Sequence, residues 1–179
     1  FAAAKDDPYC QRDTHWSGRG IALAADALSP ALAKSTGVHA RPISAPWTTH
    51  KIQGDLGGEP EDVNLRFSGM TADPAVAAAH PVLLLGDSHL LVFHAGGDLH
   101  ATGSGLADQL ASALGSMPDV MAVRGSGATS ARMNLARRAR GDAGYLASKK
   151  VVVWCFAARD LTEADAWKKI PIQRPVAGH

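Results

Sequence analysis

The feature that most constrains this chain is an apolar run, Pro81-Val82-Leu83-Leu84-Leu85, that stops at Gly86-Asp87-Ser88. A strand with one wet face alternates apolar and polar side chains. This one does not alternate, so it needs cover on both faces. Residues 119–123 and 151–156 are further short apolar runs of the same kind. Between them, residues 106–114 read as a helix closed by Gly115, and residues 129–140 read as a helix with a basic outer face. Strand, helix, strand, helix, strand with near-continuous apolar strands predicts an α/β fold. Its sheet is mostly parallel and carries helices packed on both faces. A chain of 179 residues, 46% hydrophobic and 20% charged, suits one such domain over residues 1–179.

The flanks are less regular. Ser17 reads as the N-cap of a helix in which Ile21, Ala24, Ala25 and Leu28 share a face, with an end expected near Pro30. Residues 36–73 are rich in Gly, Pro and Thr and read as loop with room for short strands, of the kind that rims a cleft. A last short helix is expected over residues 163–169. There are no internal repeats. The glycine-rich stretch 94–105 lacks the Gly-Lys-Ser/Thr ending of a phosphate loop.

Bulk properties exclude some functions. Net charge is +1, from 18 Lys and Arg against 17 Asp and Glu, which gives no general attraction for nucleic acid. No apolar run is long enough to span a bilayer. The chain begins at Phe1 and reads as a fragment or processed product of a longer one. Cys10 and Cys155 permit one disulfide without demanding it. The plainer expectation is a buried thiol at Cys155 and a partly exposed one at Cys10.

Two segments carry chemistry. The turn after a parallel strand lies at the carboxyl edge of the sheet, where open α/β folds bind ligands. Ser88 sits in such a turn. Its hydroxyl becomes a nucleophile once a base takes its proton, and the N–H groups of a following helix can hold an oxyanion. The alternative is that Asp87-Ser88 only caps a helix. The second segment is Asp13-Thr14-His15-Trp16-Ser17. His15 is a candidate general base, Asp13 a carboxylate that fixes its tautomer, and Trp16 a shield against water. The alternatives are a surface histidine or a metal-binding Asp-x-His. A Ser-His-Asp site is defined by geometry, so chain order is free.

Gly125 and Gly127 follow the second strand, where glycine allows close approach of backbone to a substrate carbonyl and one N–H can face an oxyanion. An ordinary strand-to-helix turn is the alternative. Arg159 follows the third strand at the same edge, either lining the cleft or pairing with Asp160 or Glu163. Arg132, Arg137, Arg138 and Arg140 crowd one helix, a solvated face or a landing surface for an anionic polymer. His89, His94 and His100, with Asp87, form a rival cluster, but their spacing matches no common zinc pattern. Neither a metal nor a cofactor is expected.

Taken together, these blocks resemble the SGNH hydrolase-like acetyltransferases of alginate O-acetylation, the AlgX/AlgJ type. Asp13-Thr14-His15-Trp16 resembles that family's signature. Gln53-Gly54-Asp55-Leu56 resembles a Gly-Asp-Leu element downstream of it. Leu85-Gly86-Asp87-Ser88 resembles the nucleophile block, Arg124-Gly125-Ser126-Gly127 a Gly-x-Gly segment, and residues 153–161 a Trp-Glu-Phe-x-x-Arg-x-Leu segment in which Cys155 stands for the Glu. The resemblance runs from Asp13 to Leu161. It implies a three-layer α/β/α sandwich with the Asp-x-His block permuted ahead of the Ser block. It implies Ser88 as nucleophile, His15 as base and Asp13 as its orienter. It further implies an acetyl donor, a polysaccharide or oligosaccharide acceptor, companion acetylation proteins and a periplasmic or other cell-envelope location. A carbohydrate esterase using the same residues and a non-catalytic polysaccharide-binding module are the competing readings.

Overall fold

The computed structural model describes residues 7–125, 127–163 and 169–172. At its centre is a three-stranded sheet of β3 (Val82–Gly86), β4 (Asp119–Ala122) and β5 (Val151–Cys155), in the order β4-β3-β5. Both pairings are parallel, as expected. The other two strands, β1 (Trp47–Ile52) and β2 (Glu61–Arg66), form a separate antiparallel ribbon within the region read as loop. Only Ile52, Val63, Leu65 and Arg66 of that ribbon are buried, so its apolar signal in the sequence is thin.

The period of β3 sorts its side chains between two cores. Val82 and Leu84 pack with Ile21, Ala25, Leu106 and Leu110, from α1 (Gly18–Thr36) and α4 (Leu106–Leu114). Leu83 and Leu85 pack with Ala131 and Leu135 of α5 (Gly127–Gly141), and with Tyr145. Every residue of β3 is buried, which is why the run shows no alternation. Each such leucine contributes roughly 1.5–3 kcal/mol by leaving water.

α1 runs through Pro30 to Thr36, beyond the expected end. A proline inside a helix deprives the carbonyl four residues earlier of its donor. Here that residue is Asp26, which is exposed like Pro30, so the helix is interrupted on its solvent side while Leu32 and Ala33 anchor the last turns in the core. Gly37 then ends the helix at φ 81°, its N–H bonded to the Ala33 carbonyl. The short helix α2 (Pro74–Ala79), capped by Asp73, was not foreseen, whereas α3 (Ser88–Leu91) is the helix that both readings of Ser88 allowed for. The helix expected at 163–169 lies largely outside the described residues, and a short α6 (Arg159–Thr162) precedes it. No helix among the described residues is long and apolar enough to cross a membrane.

Gly86 of β3 is level with Ala122 of β4 and Cys155 of β5, so the three strands finish together. The chain leaves β3 for α4 on one face and leaves β4 for α5 on the other. The loops that follow the three strands therefore share the carboxyl edge of the sheet, the usual ligand position in such folds. Ser88 follows β3 there, and Gly125 follows the neighbouring β4.

Candidate active site

The loop before α1 is built to hold one imidazole. Asp13 turns its carboxylate back on its own backbone, so that Oδ1 accepts the His15 N–H at 3.0 Å and faces His15 Nδ1 at 2.6 Å. With a carboxylate on Nδ1, the proton of the neutral ring sits there and Nε2 is the basic nitrogen. Asp13 and His15 are both buried. Burial alone would raise the Asp13 pKa, but the bonds from His15 and His100 hold it below the ordinary carboxylate range.

The Gly-Asp-Leu element closes the loop from outside. Asp55 accepts the Thr14 N–H at 2.8 Å and the Thr14 hydroxyl at 2.6 Å, and donates its own N–H to Asp13 Oδ2 at 3.2 Å. Leu56 N–H reaches the Arg12 carbonyl at 3.0 Å. Gly54 is obligatory for this docking, because a Cβ there would collide with the Arg12 carbonyl. Asp13, His15 and Asp55 bring ligand-type atoms within 4.8 Å of one another. Those atoms are already engaged in the hydrogen bonds just described.

The turn after β3 is equally constrained. Asp87 is buried and caps α3: Oδ1 accepts the His89 N–H at 2.9 Å and faces His89 Nδ1 at 3.1 Å. Its Oδ2 accepts the Ala157 N–H at 3.2 Å, tying the end of β3 to the end of β5. Burial opposes its ionisation, and these bonds, led by His89, outweigh that and lower its pKa. Thus the capping alternative is correct for Asp87. It leaves Ser88 half-buried at the first position of α3, its hydroxyl without a hydrogen bond to any described residue.

The two segments meet. The His15 and His89 rings lie 5.0 Å apart, centroid to centroid. Trp16 donates its indole N–H to the His89 carbonyl at 2.9 Å, so it fastens the segments together besides covering them. The fold therefore brings Asp13, His15 and Trp16 against the turn that carries Ser88. Gly125, at φ 62°, occupies the turn after β4, and Gly127 opens α5. Arg159 opens α6 at the same sheet edge and is exposed. Asp160 beside it accepts the Ala128 N–H at 3.2 Å, so α6 begins next to α5.

The rival histidine cluster is dispersed. His89 goes to Asp87, His100 to Asp13 at 2.9 Å, and His94 to Asp108 at 2.8 Å. His94 lines a separate cavity of about 650 Å³, together with Phe67, Met70, Asp108, Met117 and Asp119. Asp13, His15 and Ser88 do not line it. Cys10 and Cys155 are both free and half-buried, as expected for Cys10 and less enclosed than expected for Cys155. Sequence reasoning grouped Asp87, His89 and His100 only as a rival metal cluster, because the contacts that tie them to this site, with Ala157, Trp16 and Asp13, come from far along the chain.

No family model matches the chain, and no curated protein matches it. Solved structures do. The O-acetyltransferase domain of Pseudomonas putida AlgJ superposes with a TM-score of 0.62 at 24% identity, over 92% of this chain and 58% of that one. Pseudomonas aeruginosa AlgX superposes with a TM-score of 0.56 at 15% identity, over 86% of this chain and 38% of that one. The chain thus spans less than two thirds of either of those chains, and it shares their fold.

Proposed function

We propose that this chain moves an acetyl group onto a polysaccharide hydroxyl through an acetyl-serine intermediate, within a single SGNH-hydrolase-like α/β/α domain. The observation that carries the reading is the buried Asp13–His15 pair packed against the Ser88 turn, with the two imidazoles of His15 and His89 5.0 Å apart. The AlgJ O-acetyltransferase domain, similar over most of this chain, supports acetyl transfer as the chemistry.

In the first half-reaction Ser88 Oγ attacks the carbonyl carbon of the acetyl donor while His15 Nε2 takes the hydroxyl proton. Asp13 stabilises the imidazolium without itself taking the proton. The tetrahedral oxyanion rests on the Ser88 N–H and on the N–H of Gly125 or Gly127. Collapse expels the donor's leaving group, which takes the proton from His15, and leaves acetyl-Ser88. A sugar hydroxyl then gives its proton to His15 Nε2 and attacks the acetyl carbon. Collapse returns the proton to Ser88 and releases the acetylated sugar. Arg159 and Trp16 line the acceptor side. The working location is the cell envelope, where the acceptor polymer and companion acetylation proteins reside.

The test is acetyl turnover from an aryl acetate with and without oligosaccharide acceptors. Wild-type protein is expected to transfer acetyl to the acceptor, and Ser88→Ala to lose turnover by roughly 10³-fold or more. Acetate release that ignores every acceptor would replace transfer with hydrolysis. Undiminished turnover in Ser88→Ala would remove the serine mechanism altogether.

A further inference from the structure

We propose that His100 is a positioning residue of this site, holding the outer oxygen of the Asp13 carboxylate so that its inner oxygen stays on His15. The inference rests on the reading of Asp13 and His15 as orienter and base.

The carboxylate has both oxygens committed. Oδ1 serves His15, through its N–H and its Nδ1. Oδ2 serves His100 Nε2 at 2.9 Å and the Asp55 N–H at 3.2 Å. Rotation of the carboxylate would break bonds on both sides. The His100 ring, lying 87 residues further along the chain, thereby fixes the direction in which Asp13 presents charge to His15.

The backbone shows what is needed to put the ring there. His100 has φ 74° and ψ −79°, and the Ala101 N–H reaches back to the Leu99 carbonyl at 3.2 Å. That is a γ-turn with positive φ at its centre, a rare and strained conformation for a residue with a Cβ. The chain places glycine at neighbouring positive-φ positions, Gly96, Gly97 and Gly103, yet not at this one. The turn is anchored on Phe93, fully buried and itself at φ 56°, whose ring lies 5.6 Å from that of His100. The Phe93 N–H bonds to the Leu99 carbonyl at 2.9 Å and the Phe93 carbonyl accepts the Ser104 N–H at 2.8 Å. The glycine-rich stretch is thus a short excursion that lowers one imidazole onto Asp13. This accounts for a glycine-rich segment that is no phosphate loop.

The experiment compares His100→Gln, which keeps an N–H donor, with His100→Leu, which keeps bulk and loses the donor. Two readouts are taken on each folded protein. One is kcat and KM for an aryl acetate. The other is the downfield NMR signal of the His15 Nδ1 proton, recorded also in a Ser88→Ala background. The expected result is a fall in kcat of roughly 10- to 100-fold for His100→Leu with KM nearly unchanged. His100→Gln recovers part of it, and the Nδ1 signal is shifted or lost only in His100→Leu. A wild-type kcat with an unmoved signal in His100→Leu would overturn the proposal. So would equal losses in both variants, which mark a merely structural role. Full turnover in Ser88→Ala would instead overturn the catalytic reading, while the NMR signal still reports whether His100 holds the Asp13–His15 pair.

Discussion

The indole of Trp16 donates to the backbone carbonyl of His89 at 2.9 Å, joining two segments 73 residues apart. One neighbour of this bond is His15, and the other is Ser88. The bond therefore helps to hold together the two segments that carry the proposed base and nucleophile. Trp16→Phe keeps an aromatic ring and removes the donor. The expected cost is about 1 kcal/mol of stability in urea unfolding. Turnover of an aryl acetate should fall more steeply, roughly 10- to 100-fold, because the reacting groups lose alignment.

Asp87 bears on the fold more than on the chemistry. It caps α3, engages His89 and holds the Ala157 N–H, all from a buried position. Asp87→Ala should destabilise the domain by about 2–3 kcal/mol, since it removes a cap and orphans a partly buried N–H. Denaturant midpoints of the variant and of wild type check this.

Acid stability follows from the same two carboxylates. Burial works against the charge on Asp13 and Asp87, but their histidine bonds win, so both fold with lowered pKa values. The stability they contribute is present above the unfolded aspartate pKa of about 4 and is lost as pH falls through the lower folded values. Thermal melts should therefore drop steeply below about pH 4. His94 acts in the opposite sense: its bond to Asp108 outweighs burial and raises its pKa. Its contribution is complete below about pH 6.5 and disappears as pH rises through the raised value. His80, lowered mainly by burial, gives the reverse slope. The His94→Gln minus wild-type difference isolates the His94 part: the stability deficit of the variant should shrink as pH rises from 6 to 8, a range of about two units around the unfolded value.

Both thiols should be sluggish. Burial is the main reason that Cys10 and Cys155 are pushed up to about 12, with nearby carboxylates, Glu61 for Cys10 and Asp87 for Cys155, adding to it. At pH 8 the native protein should react with iodoacetamide far more slowly than the unfolded chain does. Two thiols should still be found per chain after unfolding without reductant.

Much of the central fold was written in residues 82–86, because a strand covered on both faces must be apolar throughout, and the edge strands at 119–122 and 151–155 carry a similar apolar signal although they are only partly covered. The ribbon of β1 and β2 was harder to read, since most of its side chains face water and contribute no period. Pro30 misled because the cost of a helical proline depends on whether the orphaned carbonyl meets solvent, which only the three-dimensional arrangement decides. Asp13 and His15 were legible because they bond to each other across two residues. His100 was visible only as part of a rival histidine cluster, since its meaning lies in a contact with a distant aspartate.

Peptide-mapped mass spectrometry of the protein quenched during turnover of an acetyl donor tests the central claim most directly. One acetyl group on Ser88 is expected, discharged when an oligosaccharide acceptor is added and matched by acetylated product. An acetyl group carried on any other residue, or steady turnover with Ser88 never modified, would contradict it.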